Sequence, residues 1–453
     1  MRILKIEIKK LFNMFDYLID LDKQNDLTIL TGPNGYGKTT ILNIIYNLFS
    51  KNFSFFQILS FEKIEIYLEN NNRLSIKKTV NQKKTNTFHE VGFDNEVMRE
   101  ENNIELNLFD INNGNIGSFI YKPEMEHNLV RELEKYLPIA RISQNIWIDR
   151  RTNKQIILSE LLNEYSSFLP KSFIYNIKNQ GIKNENILEV LSSLKVYLIK
   201  EQRLIKKNFS FERRQINSDR ELSYVNTIEE YASELSSRIK QKQQEAYIIT
   251  QKLDSSFPKR LLECKEDLSE ANFNERFDML IKKQSDLKKF GLSNSEQEPI
   301  EYNSENAKVL SVYLKDSEDK IEIYDPLLKN IEMFVNILNE KRFTHKTISI
   351  NNEKGFVFTT NMGEELKLTD LSSGEQHEVV LLYELLFKIE ENTLILIDEP
   401  EISLHVSWQK AFIEDLLKIA KMQNISVLVS THSPQIINDR WDYAIDLFDL
   451  SKK

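Results

Sequence analysis

The most informative spacing in the chain is Gly32-Pro33-Asn34-Gly35-Tyr36-Gly37-Lys38-Thr39, which fits the pattern G-x-x-x-x-G-K-[ST]. Glycines at these positions let successive backbone N–H groups wrap an anion, and a helix starting at the lysine adds the positive end of its dipole. Lys38 then reaches the β- and γ-phosphates of a nucleotide, and the Thr39 hydroxyl is an oxygen ligand suited to Mg²⁺. Asn34, Gly35, Gly37 and Thr40 complete the residues expected against the phosphates, so ATP and Mg²⁺ are the expected ligands.

Three further clusters could close such a site. Leu394-Ile395-Leu396-Ile397-Asp398-Glu399-Pro400 is an apolar strand ending in two carboxylates. Asp398 is expected in the Mg²⁺ shell and Glu399 as the group that orients and deprotonates the attacking water. Taken alone, the same tripeptide could simply cap the next helix. Leu371-Ser372-Ser373-Gly374-Glu375-Gln376 stands before the apolar pattern HEVVLLYELLFKI, where a hydroxyl and helix-start N–H groups make an anion site or, read alone, an ordinary capping box. His432 follows the apolar run Val427-Leu428-Val429-Ser430, a position where a lone histidine also has a structural reading.

These clusters need strands that end at one place. RILKIEIKK, DYLIDL and DLTILT read as three strands, the last running into the glycine loop and then the helical TTILNIIYNLF. KIEIYLEN (63–70) and RLSIKKTV (73–80) read as an antiparallel layer beside that sheet. From about 126 to 190 the spacing turns helical, and VYLIKEQRL (196–204) is a short strand-like run. Ile228, Tyr231, Leu235, Ile239, Ala246, Ile249 and Leu253 predict a helical arm of near-heptad spacing. A second helix is expected from Asp325-Pro326, carrying Leu327, Leu328, Ile331, Phe334, Val335 and Leu338, and returning along the first. The polar stretch 292–306 reads as the tip between them. After residue 345, KTISIN, GFVFTT and EELKL resume the strand pattern. The expected organisation is an α/β head, split between an N-terminal lobe at 1–204 and a C-terminal lobe at 346–453, with a helical, short coiled-coil insertion at 205–345.

Bulk properties narrow the alternatives. With 453 residues, 41% hydrophobic and 28% charged, the chain has the composition of a folded protein and the length for more than one structural unit. A net charge of −9 argues against a general nucleic-acid surface. Lys200, Arg203, Lys206, Lys207, Arg213 and Arg214 form a local basic cluster that could touch a phosphate backbone, but Glu201 and Glu212 dilute it and a solvated face is the plainer reading. No signal peptide or membrane-length apolar run is present, and Cys264 is the only cysteine, so a cytoplasmic protein without an internal disulfide is expected.

In this order the motifs resemble those of ABC-type ATPases, with LSSGEQ similar to the family signature usually written L-S-G-G-Q. The resemblance implies that Ser372, Gly374 and Glu375 serve the γ-phosphate held by a second subunit, in head-to-head dimers with two sandwiched ATPs. It further implies that Ser403-Leu404-His405 is the D-loop and His432 the switch histidine contacting the γ-phosphate. A Q-loop glutamine contacting ATP and Mg²⁺ is also implied, with Gln202 the first choice and Gln144 the alternative. About 330 residues between Thr39 and Leu371 make the layout similar to SMC, RecF and RecN-like ATPases rather than to transporters. LTILTGPNGYGKTT, LILIDEPEISLH and VLVSTHSPQIINDRWD look most like the ATPases of bacterial anti-phage systems, PARIS first and Septu next. The related overcoming-lysogenization-defect nucleases carry a Toprim domain after the ATPase, whereas this chain runs only about 20 residues past His432 and shows no zinc or HNH-like His/Cys cluster. A Toprim-like or HNH nuclease is therefore expected as a separate partner. The alternative is a RecF-like DNA-binding repair or recombination ATPase.

Overall fold

A computed structural model describes residues 1–21, 26–86, 96–122, 133, 137, 139–143, 146–150, 155–157, 182–199, 205–207, 224–264, 268–293, 300–341, 343 and 345–452. Its centre is a five-stranded parallel sheet in the order Lys195–Ile199, Thr393–Asp398, Ser426–Ser430, Leu27–Thr31, Ala444–Asp446. Strands covered on both faces read as continuous apolar runs, because successive side chains point to opposite sides. Leu30, Leu394, Leu396 and Leu428 accordingly pack into one core with the helix Lys38–Phe49, through its buried Ile41, Ile44, Ile45 and Leu48. Ile29, Ile395, Ile397, Val427 and Val429 pack into the other, against Val379, Val380 and Leu382 of the helix Ser373–Tyr383.

A six-stranded antiparallel sheet adjoins the first core, in the order Phe15–Asp20, Ile3–Leu11, Lys63–Leu68, Arg73–Asn86, Glu96–Phe109, Asn115–Tyr121. The first four strands match the expected runs, with Arg73–Asn86 longer than the stretch that ended at residue 80. The last two escaped the sequence reading, because in EVMREENNIELNLF the apolar alternation is confined to Ile104, Leu106 and Leu108.

The helical expectation for 126–190 holds, among the described residues, at Leu133 and at Glu185–Ser193. Strands stand at Ile139–Ser143, Ile146–Asp149 and Gln155–Ile157, where antiparallel pairing around the buried Trp147 overrides a short helical spacing.

Four α-helices, rather than two, are described between residues 224 and 345: Thr227–Glu263, Glu270–Lys289, Ala307–Glu322 and Asp325–Lys341. The third lies along both earlier ones, tied by the Arg260–Asp316 ion pair, by Lys320 to Asp254 at 2.8 Å and by Arg276 to Glu318 at 2.9 Å. The stretch expected at the tip begins instead against the middle of the first helix, where the Gln243 side-chain amide donates to the carbonyl oxygens of Gly291 and Leu292 at 3.4 and 3.2 Å. Leu292 is fully buried, so this turn is held by packing rather than projected into water. The root of the arm is fixed to the head by Tyr231. Its hydroxyl donates to Glu384 at 2.6 Å and its ring stacks on Tyr383 at 4.5 Å. Among the described residues no helix is long and apolar enough to cross a membrane.

The arm also meets the hairpin Lys346–Asn351/Gly355–Thr360. Gly355 has φ 80°, and a Cβ there would stand 1.8 Å from the Ala232 carbonyl oxygen. Gly363 has nearly the same φ, 83°, with open space around it. Gly363→Ala is therefore expected to lose only the left-handed backbone cost of about 1 kcal/mol. Gly355→Ala should lose at least about 2 kcal/mol more, because backbone must move. Urea unfolding of the two variants checks the difference.

Candidate active site

The glycine loop leaves the strand Leu27–Thr31 and enters the helix Lys38–Phe49, with φ of 145° at Gly32, 89° at Gly35 and 84° at Gly37. Such angles favour glycine. A Cβ on Gly37 would sit 3.0 Å from Leu11 and 3.4 Å from Phe12, so the turn after the first strand packs directly on the loop. A Tyr17 hydroxyl bond to the Tyr36 carbonyl at 2.8 Å braces it from the antiparallel sheet. Burial, and then Tyr36 beside it, push the Tyr17 phenol up to about 12, which keeps it a donor. The Tyr36 ring lies between Phe15, at 5.1 Å, and Phe448, at 5.7 Å.

Within this frame the expected residues converge. Lys38 is 4% exposed, and its ammonium donates to the carbonyl oxygens of Gly32 at 2.9 Å and Pro33 at 3.5 Å, with Glu399 Oε1 at 3.9 Å. Thr39 donates its hydroxyl to Asp398 Oδ1 at 3.0 Å from 359 positions away, and the Ser430 hydroxyl donates to the same oxygen. Asn34 and Gly35 are exposed at the rim, and Thr40 is half-buried. Nothing stands within 4 Å of where a Gly35 Cβ would be, leaving open the approach that a phosphate chain needs. Thr39 Oγ1 and Asp398 Oδ1 form the hard-oxygen pair that Mg²⁺ takes. The residues thus fit both ATP and its metal ion.

Glu399 carries a feature invisible in its residue type: φ 42° and ψ 61°, the left-handed region, for a non-glycine residue. Its N–H donates to the Ser430 carbonyl at 2.9 Å, so the neighbouring strand holds a conformation that costs about 1–3 kcal/mol in isolation. Its carboxylate faces His432 Nδ1 at 3.5 Å. Glu401, which the sequence reading passed over, lies closer to that nitrogen, at 3.3 Å. Its Oε1 also accepts from the Thr431 hydroxyl at 2.5 Å and from the N–H groups of His432 and Ser433 at 3.0 and 3.2 Å. The available signal was an acid two positions after Glu399, opposite a Ser-Thr-His-Ser run rich in donors.

Ser372 and Glu375 build the capping box that was the plain reading of LSSGEQ. The Ser372 N–H and hydroxyl donate to Glu375 at 2.8 and 2.9 Å, and the Glu375 N–H returns to Ser372 Oγ at 3.4 Å. Lys346 adds an ion pair to Glu375 at 2.8 Å. Burial raises the Glu375 pKa, but Lys346 and the Ser372 donors outweigh it and hold the carboxyl below its ordinary value. Ser372 and Ser373 are exposed, Gly374 partly so, and among the described residues no hydrogen bond or ion pair joins Ser372 or Glu375 to Gly32–Thr39. Gln202 and Gln144 lie outside the described residues, as do Lys200, Arg203, Arg213 and Arg214; Lys206 and Lys207 belong to the short strand Ile205–Lys207.

Parallel sheet, glycine loop, and the facing Thr39, Asp398 and Glu399 together define a P-loop ATPase. The chain belongs to the family of the AAA ATPase domain, whose model matches residues 1–437. None of the curated proteins matches the sequence. Among solved structures, the Smc head domain with an extended coiled coil bound to the C-terminal domain of ScpA, from Pyrococcus furiosus, is 12% identical, with 98% of this chain and 92% of that one covered and a TM-score of 0.35. An SmcHead bound to the C-winged helix domain of ScpA is 10% identical, with 98% and 94% covered and a TM-score of 0.35. The SMC head domain from Thermotoga maritima is 12% identical, with 98% and 92% covered and a TM-score of 0.30.

Lys38→Met is expected to weaken ATP binding about 10- to 100-fold, the loss of one or two charge-assisted hydrogen bonds, as measured by equilibrium titration with a fluorescent nucleotide. Because the folded-state pKa of Glu375 is depressed, its contribution to stability is present at neutral pH and is lost as pH falls through that value, below the ordinary 4.5. Lys346→Met should therefore lower the urea midpoint at pH 7, and the gap from the parent protein should close on acidification through that range.

Proposed function

We propose that the chain hydrolyses ATP in a composite site, with Gly32–Thr40 of one copy and Ser372, Gly374 and Glu375 of a second closing on the same nucleotide. The observation that carries this reading is the exposed pair Ser372 and Ser373 at the head of Ser373–Tyr383, of which Ser372 bonds to Glu375 and not to the chain's own glycine loop. Ile402 and Val406, 57% and 53% exposed on either side of the D-loop residues Ser403, Leu404 and His405, give that face apolar surface for a second copy to cover.

In this mechanism Asn34, Gly35, Gly37 and Thr40 cradle the phosphates and Lys38 orients the β- and γ-groups. Thr39 and Asp398, with Gln202 as a further ligand, would hold Mg²⁺, which would supply positive charge at the phosphates. Glu399 orients the attacking water and takes its proton as the bond from the water oxygen to the γ-phosphorus forms and the bond from that phosphorus to the β,γ-bridging oxygen breaks, with ADP leaving. His432 contacts the γ-phosphate from the adjoining strand end. The lobes 1–204 and 346–453 act as one head, and 205–345 as the arm through which assembly is reported outward.

The motif resemblance supports a place in a cytoplasmic anti-phage complex, in the manner of the PARIS ATPase and then of Septu, where nucleotide state holds or releases a separately encoded Toprim-like or HNH nuclease. Glu399→Gln is expected to reduce turnover about 10²- to 10⁴-fold, the usual yield of a general base, while raising the dimer fraction with ATP in light scattering. Lys38→Met and Ser372→Arg subunits, each inactive alone, should regain activity when mixed, since one of two shared sites is then intact. Sites complete within one chain would give no recovery, and that result would sink the composite reading.

A further inference from the structure

We propose that Glu401 positions His432 for the reaction, a role that rests on the composite ATP site above. Its carboxylate is nearly buried, with a side-chain exposure of 7%, and Oε1 gathers donors from three successive residues, Thr431, His432 and Ser433. Thr431 is itself fully buried, so the clamp has no slack on that side. Gln409 locks the other side: its amide donates to the carbonyl oxygens of Glu401 and Leu404 at 3.2 and 3.1 Å, and its oxygen accepts from the Ser433 hydroxyl at 3.3 Å. The loop after Asp398 and the loop after Ser430 are thereby one rigid body.

The same Oε1 faces His432 Nδ1 at 3.3 Å, with Glu399 Oε1 at 3.5 Å from that nitrogen and Lys38 3.9 Å from Glu399. Two carboxylate acceptors beside Nδ1 require that this nitrogen carry hydrogen, because a lone pair there would face lone pairs. On these neighbours the proton is assigned to Nδ1, which leaves Nε2 as the other ring nitrogen of a side chain that is 48% exposed. Glu401 thus supplies three things at once: the backbone position of residue 432, the ring orientation and the tautomer. Glu401 Oε2 is buried and has no hydrogen-bond partner among the described residues, so it is Oε1 that binds the loop.

A loop clamp without catalytic consequence is the competing account, and a double-mutant cycle separates the two. Glu401→Gln keeps an acceptor oxygen for the N–H groups but removes the charge facing the imidazole. We expect it to fold, to bind ATP within about 3-fold of the parent protein and to lower kcat about 10-fold. In a His432→Ala background the same change should cost nothing further in kcat, and Glu401→Ala should match His432→Ala alone. An equal loss of kcat with and without His432, a raised KM at unchanged kcat, or an unaltered kcat in His432→Ala each overturns the proposal. The mixture of Lys38→Met and Ser372→Arg subunits, assayed in parallel, reports separately on the shared ATP site: its recovered activity preserves the composite reading even where the Glu401 cycle fails.

Discussion

The parallel ladder that joins Leu27–Thr31, Ser426–Ser430 and Thr393–Asp398 is the constraint on which everything else rests. Ser430 pairs with Leu30 on one side and with Asp398 on the other, so three strand ends are fixed in one row about 4.8 Å apart. The loops that leave those ends have no choice but to share a crevice, as loops at the carboxyl edge of open α/β sheets do. Hydroxyls and carboxylates from distant parts of the chain then meet without any long side chain having to search for its partner.

Rigidity at that edge has two sources. Apolar side chains on both faces of the sheet exclude water, and polar bonds across the strand ends convert the shape into a fixed pattern of charge. Glu399 shows the cost of that pattern. A left-handed glutamate would relax in a flexible loop, but here its N–H is held by Ser430 and the residue before it, Asp398, ends a buried strand. Strain at such a residue persists only where the surroundings over-determine it.

Which residues would converge at the candidate site was more legible than the course of the elements around it. Lys38, Thr39, Asp398 and Glu399 announce themselves because phosphate and metal chemistry tolerates few residue types at few spacings. His432 and Ser372 were placed by order along the chain, and the structure sets the first beside Glu399 while leaving the second exposed and bonded only locally. Glu401 was missed because its function is to hold backbone, which leaves no pattern in residue type. The strands at 96–121 were missed because half of Glu96–Phe109 is polar, and pairing with Arg73–Asn86 and Asn115–Tyr121 makes it a strand. Near-heptad spacing identified the first arm helix correctly, yet could not say that a shorter helix, Ala307–Glu322, would lie along it and along Glu270–Lys289 as well.

One consequence follows from where the arm is attached. Lys195–Ile199 and Thr393–Asp398 are adjacent, in-register strands, yet the chain between them contains the whole arm and the signature helix. Closing a long excursion onto two neighbouring strands carries an entropy that grows only with the logarithm of its length, about 0.6 kcal/mol for each doubling. The head therefore places almost no thermodynamic limit on how far its arm extends. Length can drift, and a new reach can be tried, while the row of strand ends that does the chemistry stays as it is.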